Sequence, residues 1–240
     1  MSNPIGWCTE TWNPITGCSL VSEGCRHCYA LRMAMRLAGR FGYPADDPFR
    51  VTFHPDRLDQ PIKWKKPRRV FVCSMGDLFH EDVQPEWIAR VWDVMFDCPQ
   101  HTFLVLTKRP ERMRLFAEWF DRVQGRRFVY PNVWLGVTVE NQWAADERIP
   151  ILLDAPAAHR FVSCEPLLGR VDLGRYVGWF GEQSGIDWVI AGGESGPGAR
   201  PSNPDWFRSL RDQCQVVATP FYLKDNPGTI DGVEYREVGG

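Results

Sequence analysis

Three thiols lie close together in T-G-C-S-L-V-S-E-G-C-R-H-C-Y-A: Cys18, Cys25 and Cys28, with Gly17 and Gly24 beside two of them. Sulfurs at this spacing can converge on one metal centre. An iron–sulfur cluster held by only three thiolates leaves one iron free of protein ligands and able to bind a substrate or a cofactor. A cluster that only passes electrons normally has four ligands, so the open position favours chemistry. Cys8 keeps a second reading open, because it could complete a four-cysteine zinc site that uses the Cys25-x-x-Cys28 pair. His27 is a poorer fourth ligand, since adjacent side chains rarely point at one ion. Unligated thiols are the third reading.

The chain around these thiols has 240 residues, enough to bury one large core and a common length for a single barrel of alternating strands and helices. Its net charge of −2 gives no global electrostatic case for nucleic acid, so any such case rests on local patches. The start, M-S-N-P-I-G-W-C, lacks a basic region followed by an apolar run, and no stretch approaches the roughly eighteen apolar residues that span a bilayer. The expectation is a cytoplasmic protein with reduced thiols and no membrane contact.

The elements that must position the thiols are legible as short apolar runs. Residues 11–16 are a β-prone segment leading into the cysteine loop, and residues 29–40 predict a helix that Gly42 helps to end. The loop is thus a strand-to-helix connection, the place where parallel α/β architectures carry functional groups. Residues 43–68 are rich in proline and predict an irregular insertion. It runs into the basic stretch Lys63, Trp64, Lys65, Lys66, Arg68 and Arg69, which fits either a nucleic-acid contact or a solvated turn.

Beyond it, strands predicted at 70–74, 102–107, 132–139, 160–164, 187–191 and 221–223 alternate with helices at 85–97, 111–122, 142–154 and 204–217. Each strand runs into a polar cluster at its C-terminal end. This is the pattern of a parallel barrel, complete or incomplete, with its active site at that rim. One cavity should therefore gather Cys18, Cys25, Cys28, Ser74, Asp77, Thr107, Lys108, Thr138, Glu140, Asn141, Cys164, Glu165, Glu194 and Lys224. The tryptophans of the 85–97 helix read as core, as do Cys73 and Cys214.

A three-cysteine loop at the start of such a barrel resembles the radical S-adenosylmethionine superfamily. More closely, T-W-N-P-I-T-G-C, G-C-R-H-C-Y-A, F-V-C-S-M-G-D-L-F-H, L-T-K-R-P-E-R-M, N-V-W-L-G-V-T-V-E-N, S-C-E-P-L-L-G and A-G-G-E-S-G-P-G-A-R-P resemble a family of phage-encoded and bacterial radical-SAM-like proteins, over residues 12–224. The resemblance implies an α/β fold of the parallel (β/α)6 partial TIM-barrel type. It implies one domain over 1–240, with the insertion at about 43–68. Two departures stand out. The cysteines are spaced C-x6-C-x2-C where most of the superfamily has C-x3-C-x2-C, and Ser74-Met75-Gly76-Asp77 replaces the usual G-G-E-P turn.

The resemblance also implies that Cys18, Cys25 and Cys28 ligate a 4Fe-4S cluster whose open iron binds S-adenosyl-L-methionine. An external electron donor would reduce it to yield a 5′-deoxyadenosyl radical that takes a hydrogen atom from the substrate. On that basis Ser74 and Asp77 hold the cofactor's amino group, Lys108 its carboxylate, and Thr138, Glu140 and Asn141 the ribose hydroxyls, with Glu165 in the same cofactor-binding set. Cys164 is either core or a hydrogen-atom donor, as a cysteine is in spore photoproduct lyase, to which the family is distantly similar.

The substrate expected is a nucleic acid or nucleotide, from the Lys63–Arg69 stretch, Arg109, Arg112, Arg126, Arg127 and the stacking candidates Trp64 and Trp143. The alternatives are a radical enzyme acting on a peptide or small metabolite, and a non-catalytic metal-dependent binding protein working with a protein partner.

Overall fold

Seven short apolar runs pair into one parallel sheet in the computed structural model, which describes residues 5–125, 127–180 and 183–239. The strands are β1 (Glu10–Trp12), β2 (Arg69–Val72), β3 (Thr102–Thr107), β4 (Val133–Thr138), β5 (His159–Cys164), β6 (Trp188–Ala191) and β7 (Phe221–Leu223). Their order across the sheet is their order in the chain, and β1 and β7 are its two edges. The sheet curls into a half-barrel, a mixed α/β fold compatible with an incomplete TIM-type barrel. Helices α1 (Tyr29–Leu37), α2 (Pro85–Asp97), α3 (Pro110–Gln124), α4 (Gln142–Asp154) and α5 (Pro204–Val216) make the crossovers after β1, β2, β3, β4 and β6. The crossover from β5 to β6 carries instead a small antiparallel hairpin, Trp179–Phe180 with Gln183–Ser184.

Alternation along the strands sorts side chains into two cores. Phe71, Leu104, Trp134, Phe161, Trp188 and Tyr222 fill the concave interior, joined by Trp7 from the N-terminal segment. Val70, Val72, Phe103, Val105, Leu135, Val137, Val162 and Val189 face the helices. The Phe161 ring reaches across to β4, where a Cβ added at Gly136 would lie 2.5 Å from it. Glycine there is a packing requirement. On the outer side, α2 buries Ile88, Val91, Trp92 and Met95 at helical spacing, and the Trp92 ring stacks 4.4 Å from Phe128. Among the described residues no helix is long and apolar enough to cross a membrane.

The insertion is stitched to the frame. Thr52–Phe53 pairs antiparallel with Ile15–Thr16, and His54 Nε2 shares a 2.8 Å hydrogen bond with Thr16 Oγ1. The helix expected over 29–40 stops at Leu37, because Gly39, Phe41 and Gly42 all take positive φ and cannot continue the helical ladder.

The basic stretch differs from expectation. Lys63 pairs with Asp59, Arg68 with Glu10, and Trp64 packs on the core, edge-on to His101 with the Arg68 guanidinium over its ring. Because β2 begins at Arg69, the stretch lies at the N-terminal ends of the strands, opposite the rim where their C-termini gather. Trp64 is committed to the fold, and Lys65 and Lys66 remain as exposed cations. Arg126 lies outside the described residues.

Candidate functional site

The C-terminal rim of the half-barrel encloses a cavity of about 190 Å³. Eleven of the residues expected around it line it: Cys18, Cys25 and Cys28, Ser74 and Asp77 after β2, Thr107 and Lys108 from the end of β3, Thr138 from β4, Glu165 after β5, Glu194 after β6 and Lys224 after β7. The cysteines divide accordingly. Cys18, Cys25 and Cys28 are partly accessible, whereas Cys8, Cys73, Cys98, Cys164 and Cys214 are buried and none of these five lines the cavity.

Three charged clusters, after every second strand, hold the cysteine loop. After β2, Asp77 accepts from Thr107 Oγ1 at 2.8 Å, Phe79 N at 3.0 Å, Lys108 N at 3.2 Å and Arg109 Nη1 at 3.2 Å. Arg109 then donates to Cys18 Sγ at 3.4 Å and to Ser19 Oγ at 2.9 Å. After β4, the buried Glu140 accepts from Arg148 Nη1 at 2.8 Å and from Ser22 Oγ at 2.5 Å. Gly24 lies so close to Glu140 that a Cβ would meet its Oε1 at 2.6 Å, so only glycine lets the loop approach. After β6, Glu194 binds His27 Nδ1 at 2.8 Å and Arg200 Nη2 at 2.6 Å, while Arg200 also reaches the Glu23 carbonyl at 3.0 Å.

These contacts tune the loop. Burial, followed by the Asp77 carboxylate, pushes the Cys18 thiol up to about 11 despite the opposing Arg109 guanidinium. Burial also acts to raise Cys25, but the Lys108 ammonium and hydrogen bonds from the backbone of Val21 and Ser22 outweigh it and leave this thiol below its ordinary value. Hydrogen bonds from Arg200 hold the Glu194 carboxyl down to about 2, with burial opposing. Glu194 is therefore a fixed anion that keeps His27 in place.

Three residues expected around the cavity do not line it. Cys164 points outward: on β5 the residues Phe161 and Ser163 share the inner face, so Cys164 falls in the core between sheet and helices, where burial and then the nearby Cys214 raise its thiol pKa. From that side of the sheet its thiol does not face the cavity where a hydrogen-atom donor is expected. Glu140 does not line the cavity, because its carboxylate is consumed by Arg148 and the cysteine loop. Asn141 does not line it either: it is the N-cap of α4, accepting from Ala144 N at 3.0 Å, and donates to Glu23 Oε1 at 2.9 Å. Asp77 does line the cavity, but its oxygens are engaged by its own chain. It positions Arg109 and is not free to take a cofactor amino group.

Sequence reasoning missed Ser163, Trp7 and Tyr29, and it read Arg109 as a substrate contact and not as the partner of Asp77 and Cys18. Period-two counting from Phe161 would have found Ser163. Tyr29, whose hydroxyl donates to the Ser74 carbonyl at 2.5 Å, follows Cys28 directly but was absorbed into a helix. Trp7 belongs to no predicted element, so nothing in the sequence placed it inside the barrel. The Asp77–Arg109 contact joins two crossovers and has no local signal.

The donor set can be tested against the groups the sequence suggests. Among the described residues no three Cys, His, Asp or Glu side chains gather around the position of one metal ion. Cys8 lies in the interior core and does not line the cavity, which leaves the four-cysteine zinc site without its fourth ligand. Cys18, Cys25 and Cys28 are three partly accessible thiols that line one cavity. Lys108 remains available, its Nζ 3.8 Å from Glu140. Trp7, Phe71 and Leu106 give the cavity an apolar wall.

Comparison with curated proteins and with solved structures returned no match. A family model matches the chain over residues 2–235, nearly its whole length, and the chain therefore belongs to the family described as a protein of unknown function, DUF5131.

Proposed function

We propose that this chain is a radical S-adenosylmethionine enzyme that modifies or repairs a nucleic acid or nucleotide. The observation that carries the first part is the division of the cysteines: the three with the required loop position share one cavity and partial access, and the five others share neither. Cys18, Cys25 and Cys28 would hold a 4Fe-4S cluster and leave one iron for the amino and carboxylate groups of the cofactor. The bound pair supplies one-electron reductive cleavage of a sulfonium, and so hydrogen-atom abstraction.

The chain's own groups do the rest. Lys108 faces the cavity with a single loose ionic partner and is the cation for the cofactor carboxylate. The Glu165–Lys224 pair, 2.5 Å apart at the opposite wall, offers polar atoms for hydroxyl groups. Trp7, Phe71 and Leu106 exclude water from the deep side. Asp77, Glu140 and Glu194 act at one remove, each fixing a segment of the cysteine loop.

The test is anaerobic reconstitution with iron and sulfide analysis, followed by electron paramagnetic resonance of the reduced protein with and without S-adenosylmethionine. About four irons per chain, lost in Cys25→Ala, with a spectrum perturbed by the cofactor, is the expected result. Zinc, or no metal, under those conditions would overturn the radical mechanism and leave the cavity as a binding site.

A further inference from the structure

The expected basic stretch lies at the wrong end of the barrel, but a different one lies at the cavity. From Gly24 to Ala45 the chain has no Asp or Glu and carries Arg26, Arg32, Arg36 and Arg40. Arg32 is spent on the Ser195 carbonyl at 3.0 Å. The other three are exposed, and among the described residues none of them has a carboxylate within ion-pairing distance. Elsewhere Arg114, Arg175 and Arg208 pair with acids, and the exposed Arg90, Arg122, Arg127 and Arg170 lie on other elements, so this stretch differs by carrying its cations with no acid among them.

The geometry makes a track of them. On α1, Tyr29, Met33 and Arg36 fall at positions i, i+4 and i+7, all exposed, so they share one stripe about 10 Å long. Its inner end is Tyr29, which lines the cavity. At its outer end the Arg40 guanidinium bonds back to the Arg36 carbonyl, and Phe41 follows. Phe41 is held at φ 52°, a conformation that costs a bulky residue free energy that glycine would avoid. Its ring is 74% exposed and gains little burial in return. A ring kept in the open at a backbone cost, next to uncompensated cations, is the chemistry of a stacking platform beside a phosphate path.

We propose that the Tyr29–Phe41 stripe docks single-stranded nucleic acid and leads one nucleotide into the cysteine-lined cavity. The inference rests on the reading of the cavity as a site acting on nucleic acid, and it replaces Lys63–Arg69 as the contact surface. A single strand is specified because stacking needs unpaired base faces, and chemistry on a base requires it to leave the helical stack.

The experiment is fluorescence anisotropy of a labelled oligo-dT of about fifteen nucleotides against the full chain at a series of salt concentrations, without iron loading. The double variant Arg36→Ala/Arg40→Ala should lower the slope of log affinity against log salt by about 1.4. Phe41→Ala should weaken binding about tenfold with the slope unchanged. Lys65→Ala/Lys66→Ala, at the far end, should leave binding as it is. Thermal melting of each variant confirms that it is folded, and Arg36→Glu supplies a second perturbation of the track, predicted to weaken binding more than Arg36→Ala. The proposal is overturned if the far-end variant weakens binding as much as the track variant. It is overturned equally if polyglutamate displaces the oligonucleotide as well as unlabelled oligo-dT does, which would mark the stripe as a site for an acidic protein, or if no oligonucleotide binds at low salt. Iron content and cofactor cleavage are measured separately, so failure of either reading leaves the other's result intact.

Discussion

The two ends of the half-barrel are built from the same strands and behave as opposites. At the N-terminal end the interior is closed by rings: Trp7, Trp134, Phe161, Trp188 and Tyr222 pack together, Trp188 Nε1 donates to the Glu237 carbonyl at 3.0 Å, and Gly239 lies against Trp134. At the C-terminal end the same inner faces carry Thr138, Ser163, Glu165 and Lys224 around an open cavity. The closed end draws its stability from area removed from water and from ring contacts, which are non-directional. The open end draws its order from charged groups tied to one another at fixed distances, which is what a loop of three thiols needs to hold one geometry. Stability and positioning are thus separated along the barrel axis.

Breaking the closed end should have the largest effect. Trp188→Ala removes a fully buried ring from the interior and is expected to cost about 3–5 kcal/mol in urea denaturation. If the cysteine loop holds a cluster as proposed, its metal content per folded chain should be unchanged. A matching loss of metal in the folded fraction would show that the two ends are not separable.

Next comes Glu140→Gln, which leaves the buried Arg148 with only the looser Glu147 carboxylate at 3.8 Å and weakens the hold on Ser22. The expected cost is about 2 kcal/mol, with faster amide exchange in residues 22–28 as the sign that the loop has loosened. Unchanged exchange there would reduce Glu140 to a purely structural ion pair.

The smallest effect sharpens the comparison through pH. Burial, followed by the nearby Arg57 charge, lowers the His54 pKa from 6.5 to about 4. The unfolded chain therefore binds a proton that the folded chain refuses. The stability this represents is present in full above pH 6.5 and is lost as pH falls toward 4. Between pH 7 and 5.5 the loss should be about 1 kcal/mol, and His54→Gln, which cannot take up that proton, should flatten the dependence. Because His54 ties the insertion to Thr16 at the entrance to the cysteine loop, mild acid should loosen the open end first. Equal pH sensitivity in wild type and variant would locate the titrating group elsewhere.

The strand ends were the most legible part of the site. Each apolar run terminates where its hydrophobic letters stop, and parallel strands point their C-termini one way, so most of the rim could be named from local pattern alone. The misses were those of facing and partnership. Cys164 and Ser163 are neighbours in the chain: alternation puts them on opposite faces, and the packing of Phe161 with Trp188 decides which face is inward. Glu140 and Asn141 read as ligand-facing because they end a strand. Their partners, Arg148, Ser22 and Glu23, are brought there by a helix and a loop whose paths no short stretch encodes.

What the sequence by itself determined was the alternation of strand and helix, the direction of the strands and the grouping of three cysteines in one connection, because these depend on interactions within a few residues. Only the tertiary structure decided which thiols are accessible, which carboxylates are already spent and which of two basic stretches stands at the cavity. Those outcomes depend on groups 30 or more residues apart meeting across the rim, as Asp77 meets Thr107 and Ser22 meets Glu140, and long-range pairing is settled by the packing of the whole sheet.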